Sequence, residues 1–259
     1  MTALSATAQR YLTLVLHRAY AELRSESERT YIGFFWWVIE PIVFMAVLYL
    51  VFKVIMQRGT PNFVQFLFIG LVAWRWLETC LVSGANSIIM ARGLMQQVYL
   101  SKLVFPLVVV VTNTVKFAIV CLLLVGFLVA TGFPIGLPYL ALPAVFATQL
   151  VLILGVTIVF AGLTPFLPDL IVVLRNVVRL WFFLSGIFWD IKDFSHRLQD
   201  ALRFNPMVPV LEAYRDILLH DTWPDFELLA IIAAACLPVC LAGVWIIRRF
   251  DYVYPKLRY

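Results

Sequence analysis

Six apolar stretches of roughly 20 residues follow one another along this chain, separated by short polar or Gly/Pro-bearing connections. In a bilayer every backbone N–H and C=O has to find its partner inside the protein, so stretches of this length form α-helices. The expected spans are residues 33–55, 63–89, 106–130, 139–164, 166–190 and 226–247. The chain therefore reads as all-α, a polytopic membrane protein with six transmembrane helices and one transmembrane domain over 1–259. Composition closes off the soluble alternative: 63% of residues are hydrophobic and only 14% charged, with a mean hydropathy of +0.94.

The connections are as informative as the spans. Residues 1–30 place Leu4, Ala8, Leu12, Val15, Leu16, Ala19 and Leu23 at three- and four-residue spacing, with Arg10, Arg18, Glu22 and Arg24 largely on other faces. That pattern predicts an amphipathic helix in the membrane interface, in contact with lipid. No short apolar core with a small-residue cleavage site precedes it, so the first span is expected to serve as the insertion signal. Residues 91–104 are polar enough to leave the bilayer and predict one cytoplasmic helix. Basic residues at both ends, among them Arg29, Arg248, Arg249 and Lys256, place both termini in the cytoplasm, and six crossings satisfy that.

Residues 190–224 are unusual for an outer loop. Apolar residues recur at helical spacing on either side of a break at Asn205-Pro206, including Leu198, Leu202, Phe204, Val208, Leu211, Ile217 and Leu218. So many apolar groups are not left in water. The expectation is a re-entrant helical pair between spans five and six that closes a conduit. Pro209 falls in the opening turn of the second helix, and Glu212 and Arg215 project from neighbouring turns of one face. Such a pair needs a partner, either each other or the same residues of a second copy.

Candidate chemistry is sparse. The four cysteines, Cys80, Cys121, Cys236 and Cys240, sit in apolar runs as small hydrophobes, without a disulfide framework or metal site. No Gly-Lys dipeptide occurs, so the phosphate-cradling loop is missing, and the three histidines accompany no nucleophile. No catalytic residue is expected. The net charge of +5 lies at span ends, where the membrane surface accounts for it and nucleic acid is not needed. Arg75 and Glu78 are different, because an ionisable pair inside a span, flanked by Trp74 and Trp76, marks an aqueous path. With aromatics at 15%, flat apolar ring faces are available to wall such a path. Trp36, Glu40, Trp74, Arg75, Trp76, Glu78, Trp181 and Phe182 are the candidate conduit residues, whereas Trp37, Trp189 and Trp223 fit interfacial belts.

Three segments together resemble one family. Gly33, Trp36, Glu40 and Pro41 at the start of the first span, Leu94, Val98, Tyr99 and Pro106 between spans two and three, and Asn205, Pro206, Pro209, Glu212 and Arg215 before the last span are similar to the type-2 ABC-exporter permeases that move bacterial polysaccharides. Gln96-Gln97, Ser101 and Pro168 depart from the usual pattern. The resemblance implies a homodimer in the bacterial inner membrane, paired with two separate ATPase subunits that bind ATP and Mg. The implied cargo is a lipid-linked polysaccharide, O antigen first, with capsular polysaccharide or teichoic acid as the alternative. It also implies that Arg92, Leu94, Gln96, Tyr99 and Lys102, with Asp169 at the next cytoplasmic turn, contact the ATPase. A lipid-modifying enzyme and an ATP-independent channel or carrier stay open as other classes.

Overall fold

Helices gather around one long helix, α3 (Phe63–Met90), which is buried along most of its length. Its sequence permits this, being apolar on all faces from Phe66 to Trp74 and small at Gly70, Ala73, Gly84 and Ala85 where neighbours close in. The computed structural model describes residues 3–28, 35–55, 62–97, 100–191 and 194–256. In chain order these form α1 (Ala3–Glu28), α2 (Trp36–Tyr49) with a π-helical continuation Leu50–Ile55, α3, α4 (Arg92–Gln97) and α5 (Val104–Ala130). A 3₁₀ turn at Leu137–Ala141 leads into α6 (Leu142–Leu163). Then come α7 (Leu170–Leu184), α8 (His196–Arg203), α9 (Met207–Leu218), α10 (Phe226–Arg249) and a closing 3₁₀ turn, Tyr254–Lys256.

No strand occurs among the described residues, and four stretches of them are long and apolar enough to cross a membrane: Phe63–Gln97, Val104–Ala130, Leu137–Leu163 and Phe226–Arg249. The protein is all-helical and multi-pass. The other two expected spans are shorter than their apolar runs. Gly33 lies outside the described residues, and the α-helix of that span covers only Trp36–Tyr49 before it widens. The run 166–190 is helical over 15 residues, about 22 Å against a hydrocarbon core of about 30 Å. Pro165 and Pro168 delay its start, and Gly186, at a φ of +72°, stops it.

Helices α6 and α10 form the most extensive pair, and small residues explain how they come together. A Cβ on Gly243 would lie 2.8 Å from the Val159 backbone nitrogen, and one on Gly155 would lie 3.3 Å from both Cys236 O and Cys240 Sγ. Cys240 Sγ in turn lies 3.4 Å from Val151 O, so both cysteines serve as small packing residues. Helix α1 packs against the start of the third expected span. Val15 and Ala19 bury against Val104 and Val108 of α5, while Leu12, Leu16 and Tyr20 stay exposed on its other face.

Candidate functional site

Charge collects near the middle of the bundle on the side where α2, α3 and α7 meet. Arg75, halfway along α3, hydrogen-bonds Glu40 of α2 through Nη2 and approaches Glu78 at 3.4 Å through Nη1. The expected Arg75–Glu78 pair is thus a triad with one carboxylate from a different helix. The Arg75 and Glu40 side chains are 47% and 58% exposed, so the pair faces open space. A second ionic contact lies alongside. Lys116, midway along α5, pairs with Glu26 near the end of α1 and sits 5.1 Å over the Trp37 ring. Trp37 Nε1 donates to Glu26 at 3.4 Å.

Two cavities flank Arg75. One, of about 240 Å³, is lined by Glu26, Trp37, Glu40, Trp76, Thr79, Asn113 and Lys116 among others. The other, of about 440 Å³, is lined by Glu40, Phe44, Trp74, Arg75, Glu78, Arg179, Phe182 and Phe183. The aromatics form the walls. Trp74 meets Trp181 and Phe182 edge-on at 5.6 and 5.7 Å, and Trp76 stacks on Phe117 at 4.2 Å with its Nε1 donating to Thr114. Trp36 is about half exposed at the start of α2. The structure therefore brings Glu40, Trp74, Arg75, Glu78, Trp181 and Phe182 into one neighbourhood. Trp76 serves the neighbouring cavity.

The 190–224 segment is tied inward. Asn205 Oδ1 accepts from Trp181 Nε1 at 2.7 Å and from the Met207 backbone N–H at 3.0 Å, and its Nδ2 donates to Leu184 O and Ser185 Oγ. One asparagine thus joins the end of α7 to the start of α9. Pro206 is the residue before α9, and Pro209 falls in its first turn, where a missing N–H leaves no bond unmade. Ten of the twelve residues of α9 are buried, and the half-buried Glu212 and Asp216 share one face. Arg215 lies with its guanidinium 3.4 Å over the Phe66 ring and donates from Nη2 to Ile187 O at 3.1 Å. Tyr214 donates to Gln149 Oε1 at 2.8 Å, and Gln149 Nε2 donates to Ala73 O at 2.8 Å, a buried chain that reaches the middle of α3 and α6. Glu212 lines a smaller cavity of about 200 Å³ together with Arg203, Asp216, His220 and Asp225.

At the opposite end, α4 is shorter than the expected 91–104 helix, and Tyr99 lies outside the described residues. Gln96 and Asp169 are exposed, and Arg92 and Leu94 are half-buried. Lys102 faces inward instead, 1% exposed against Asp251, away from any surface that another protein would touch. Sequence reasoning missed Glu26, Lys116, Gln149, Arg179 and Tyr214. A signal was present for two of them, since Lys116 and Gln149 interrupt apolar runs near their centres, where a polar residue needs an internal partner.

An all-helical multi-pass bundle with charged, aromatic-walled cavities on one face fits a membrane transport domain. Residues 19–219 match the family described as ABC-2 type transporter, and the chain belongs to that family. Among curated proteins it is similar to the O-antigen export system permease protein RfbA of Myxococcus xanthus, at 32% identity over 227 residues, 86% of this chain and 87% of that protein. It is also similar to two proteins of the same name from Klebsiella pneumoniae, at 22% and 21% identity over 237 residues, 91% of each chain.

Proposed function

We propose that this chain is the membrane subunit of an ATP-driven exporter of lipid-linked polysaccharide, O antigen in the first instance, in the bacterial inner membrane. It works as a homodimer with two ATPase subunits, which bind ATP and Mg, and both its termini lie in the cytoplasm. The observation that carries this reading is the asymmetry of the bundle. The α2–α3–α7 side exposes Glu40, Arg75, Arg175 and Arg179 among apolar residues such as Val43, Val172, Val177 and Leu180, whereas the outer face of α10 exposes Leu237, Leu241 and Trp245. Charges at that depth face water or protein and not lipid tails, so the charged side is where a second copy and a conduit belong. The aromatic walls beside it suit sugar rings.

The count of six spans with a re-entrant pair is part of the same reading. It is supported by the burial of most of α9 and by the Tyr214–Gln149–Ala73 chain, which draws α9 toward the middle of the two span-length helices. Arg92, Leu94, Gln96, Tyr99 and Asp169 are the proposed ATPase contacts, and Asn205, Pro206, Pro209, Glu212 and Arg215 the proposed outer gate. The test is affinity purification of the tagged chain from its own cells. A stoichiometric ATPase should accompany it, and deletion of the chain should leave polysaccharide inside the cell. A preparation free of any ATPase, from cells that depend on the chain for surface polymer, would refute the proposal.

A further inference from the structure

The ends of α3, α5, α6 and α10 meet around the last described turn of the chain, and a charge lies inside that junction. Lys102 is 1% exposed; its Nζ lies 3.6 Å from Asp251 Oδ2, and its backbone N–H donates to Asp251 Oδ1 at 3.2 Å. The carboxylate belongs to a residue 149 positions away, just beyond α10. Three residues further on, Tyr254 is also 1% exposed and donates from its hydroxyl to Gly162 O, at the end of α6, at 3.1 Å. Its ring packs in one cluster with Ile88, Met95, Phe105 and Ile247. A lysine is almost never buried so completely, and removing it from water is unfavourable unless the geometry around it is fixed. The segment after α10 is held at two points, one in the turn before α5 and the other at the end of α6.

We propose that Lys102, Asp251 and Tyr254 form a clamp that positions α4, so that a push on α4 moves the ends of α3, α5, α6 and α10 as one body. Met95 of α4 rests on the Tyr254 cluster, and Lys102 begins the turn from which α5 starts, because Phe105 N–H bonds back to Lys102 O. With the clamp closed, displacement of α4 reaches α10 directly. Without it, α4 can tilt on its short connections while α6 and α10 stay put. These are positioning residues, and none needs to touch the ATPase or the polymer.

This inference rests on the reading that α4 receives the ATPase, so the test keeps the two apart. The complex of the full chain with the ATPase that co-purifies with it is compared for wild type, Asp251→Ala, Asp251→Glu and Tyr254→Phe. Three quantities are read: ATPase bound, ATP hydrolysed, and polymer at the cell surface. Asp251→Ala should bind and hydrolyse normally while surface polymer falls by about fivefold, and Asp251→Glu, which keeps a carboxylate for the Lys102 ammonium and backbone N–H, should retain most of it. Tyr254→Phe, which deletes one hydroxyl, should lower export by about twofold and decides the matter alone if Asp251→Ala does not accumulate. Wild-type export per ATP in Asp251→Ala or in Tyr254→Phe would overturn the clamp, as would a folded Asp251→Glu as defective as Asp251→Ala. Loss of the ATPase from the wild-type preparation would refute the functional reading instead.

Discussion

Replacing Arg215 should destabilise the bundle far more than replacing Glu212, one turn earlier on α9. Arg215→Met keeps the length of the side chain but removes its donor, leaving Ile187 O without the 3.1 Å bond it now accepts. Orphaning a buried acceptor costs about 1–3 kcal/mol. The contact of the guanidinium with Phe66, at 3.4 Å, adds about 2 kcal/mol in a site this dry. Against these stands the relief of no longer holding a charge that is only 6% exposed. The net expectation is a loss of about 3 kcal/mol. Glu212 is half-buried at the cavity edge, so Glu212→Gln should shift stability by less than about 1 kcal/mol. Gly70→Ala gives an independent control. Its Cβ would lie 3.1 Å from Arg215 Nη2 and 3.3 Å from Ile187 Cγ2, so it should reproduce part of the loss with both polar groups present. Thermal unfolding of the purified protein in detergent measures all three, and dye-loaded vesicles report whether the segment also seals against ions. Equal midpoints for Arg215→Met and Glu212→Gln would refute the reasoning.

Gly243→Ala places a methyl group 2.8 Å from the Val159 nitrogen, so α6 and α10 must part and stability should fall by about 1–3 kcal/mol; an unchanged melting midpoint would show that the contact yields freely. Arg75→Cys should react with a membrane-impermeant thiol reagent in at least one nucleotide state, because the side chain lines an open cavity, and protection in every state would remove Arg75 from the conduit. Leu94→Asp should leave the protein folded, since Leu94 is only half-buried, while ATP hydrolysis continues without export; normal export would take α4 out of the coupling path.

The parts of the fold legible in the sequence are those where the solvent dictates the answer. Long apolar runs become helices because the bilayer leaves no other way to satisfy the backbone, and α3, α5, α6 and α10 lie close to where their runs predict. Helix ends inside such runs are harder to place. The stop of α7 depends on Gly186 at positive φ and on Ser185 bonding back to Trp181 O, neither of which changes hydropathy. The partners of polar groups are harder still. Arg75 and Glu78 are three residues apart and invite pairing from sequence alone, yet Glu40 is 35 residues from Arg75 and joins them only because α2 lies against α3. Lys102 shows the limit most clearly. In sequence it is a surface lysine in a polar connection, and only the path of the chain beyond α10 makes it a buried one.

The short α7 and the buried α9 are best understood together. Helix α7 falls about 8 Å short of a hydrocarbon core of about 30 Å. A span that stops early would leave its last carbonyls in an apolar medium without donors. Asn205 meets that need directly, donating to Leu184 O and Ser185 Oγ while accepting from Trp181, so the start of α9 caps the end of α7. From there α9 packs into the bundle, where its buried polar residues Tyr214 and Arg215 find partners on α6 and in the turn after α7, while Glu212 and Asp216 line the smaller cavity. The larger cavity is therefore walled by α7, together with α2 and α3, and one asparagine joins the end of that wall to α9. A joint of that kind can shift by a rigid movement of α9 without unfolding α7, whereas a single continuous span could only tilt as a whole.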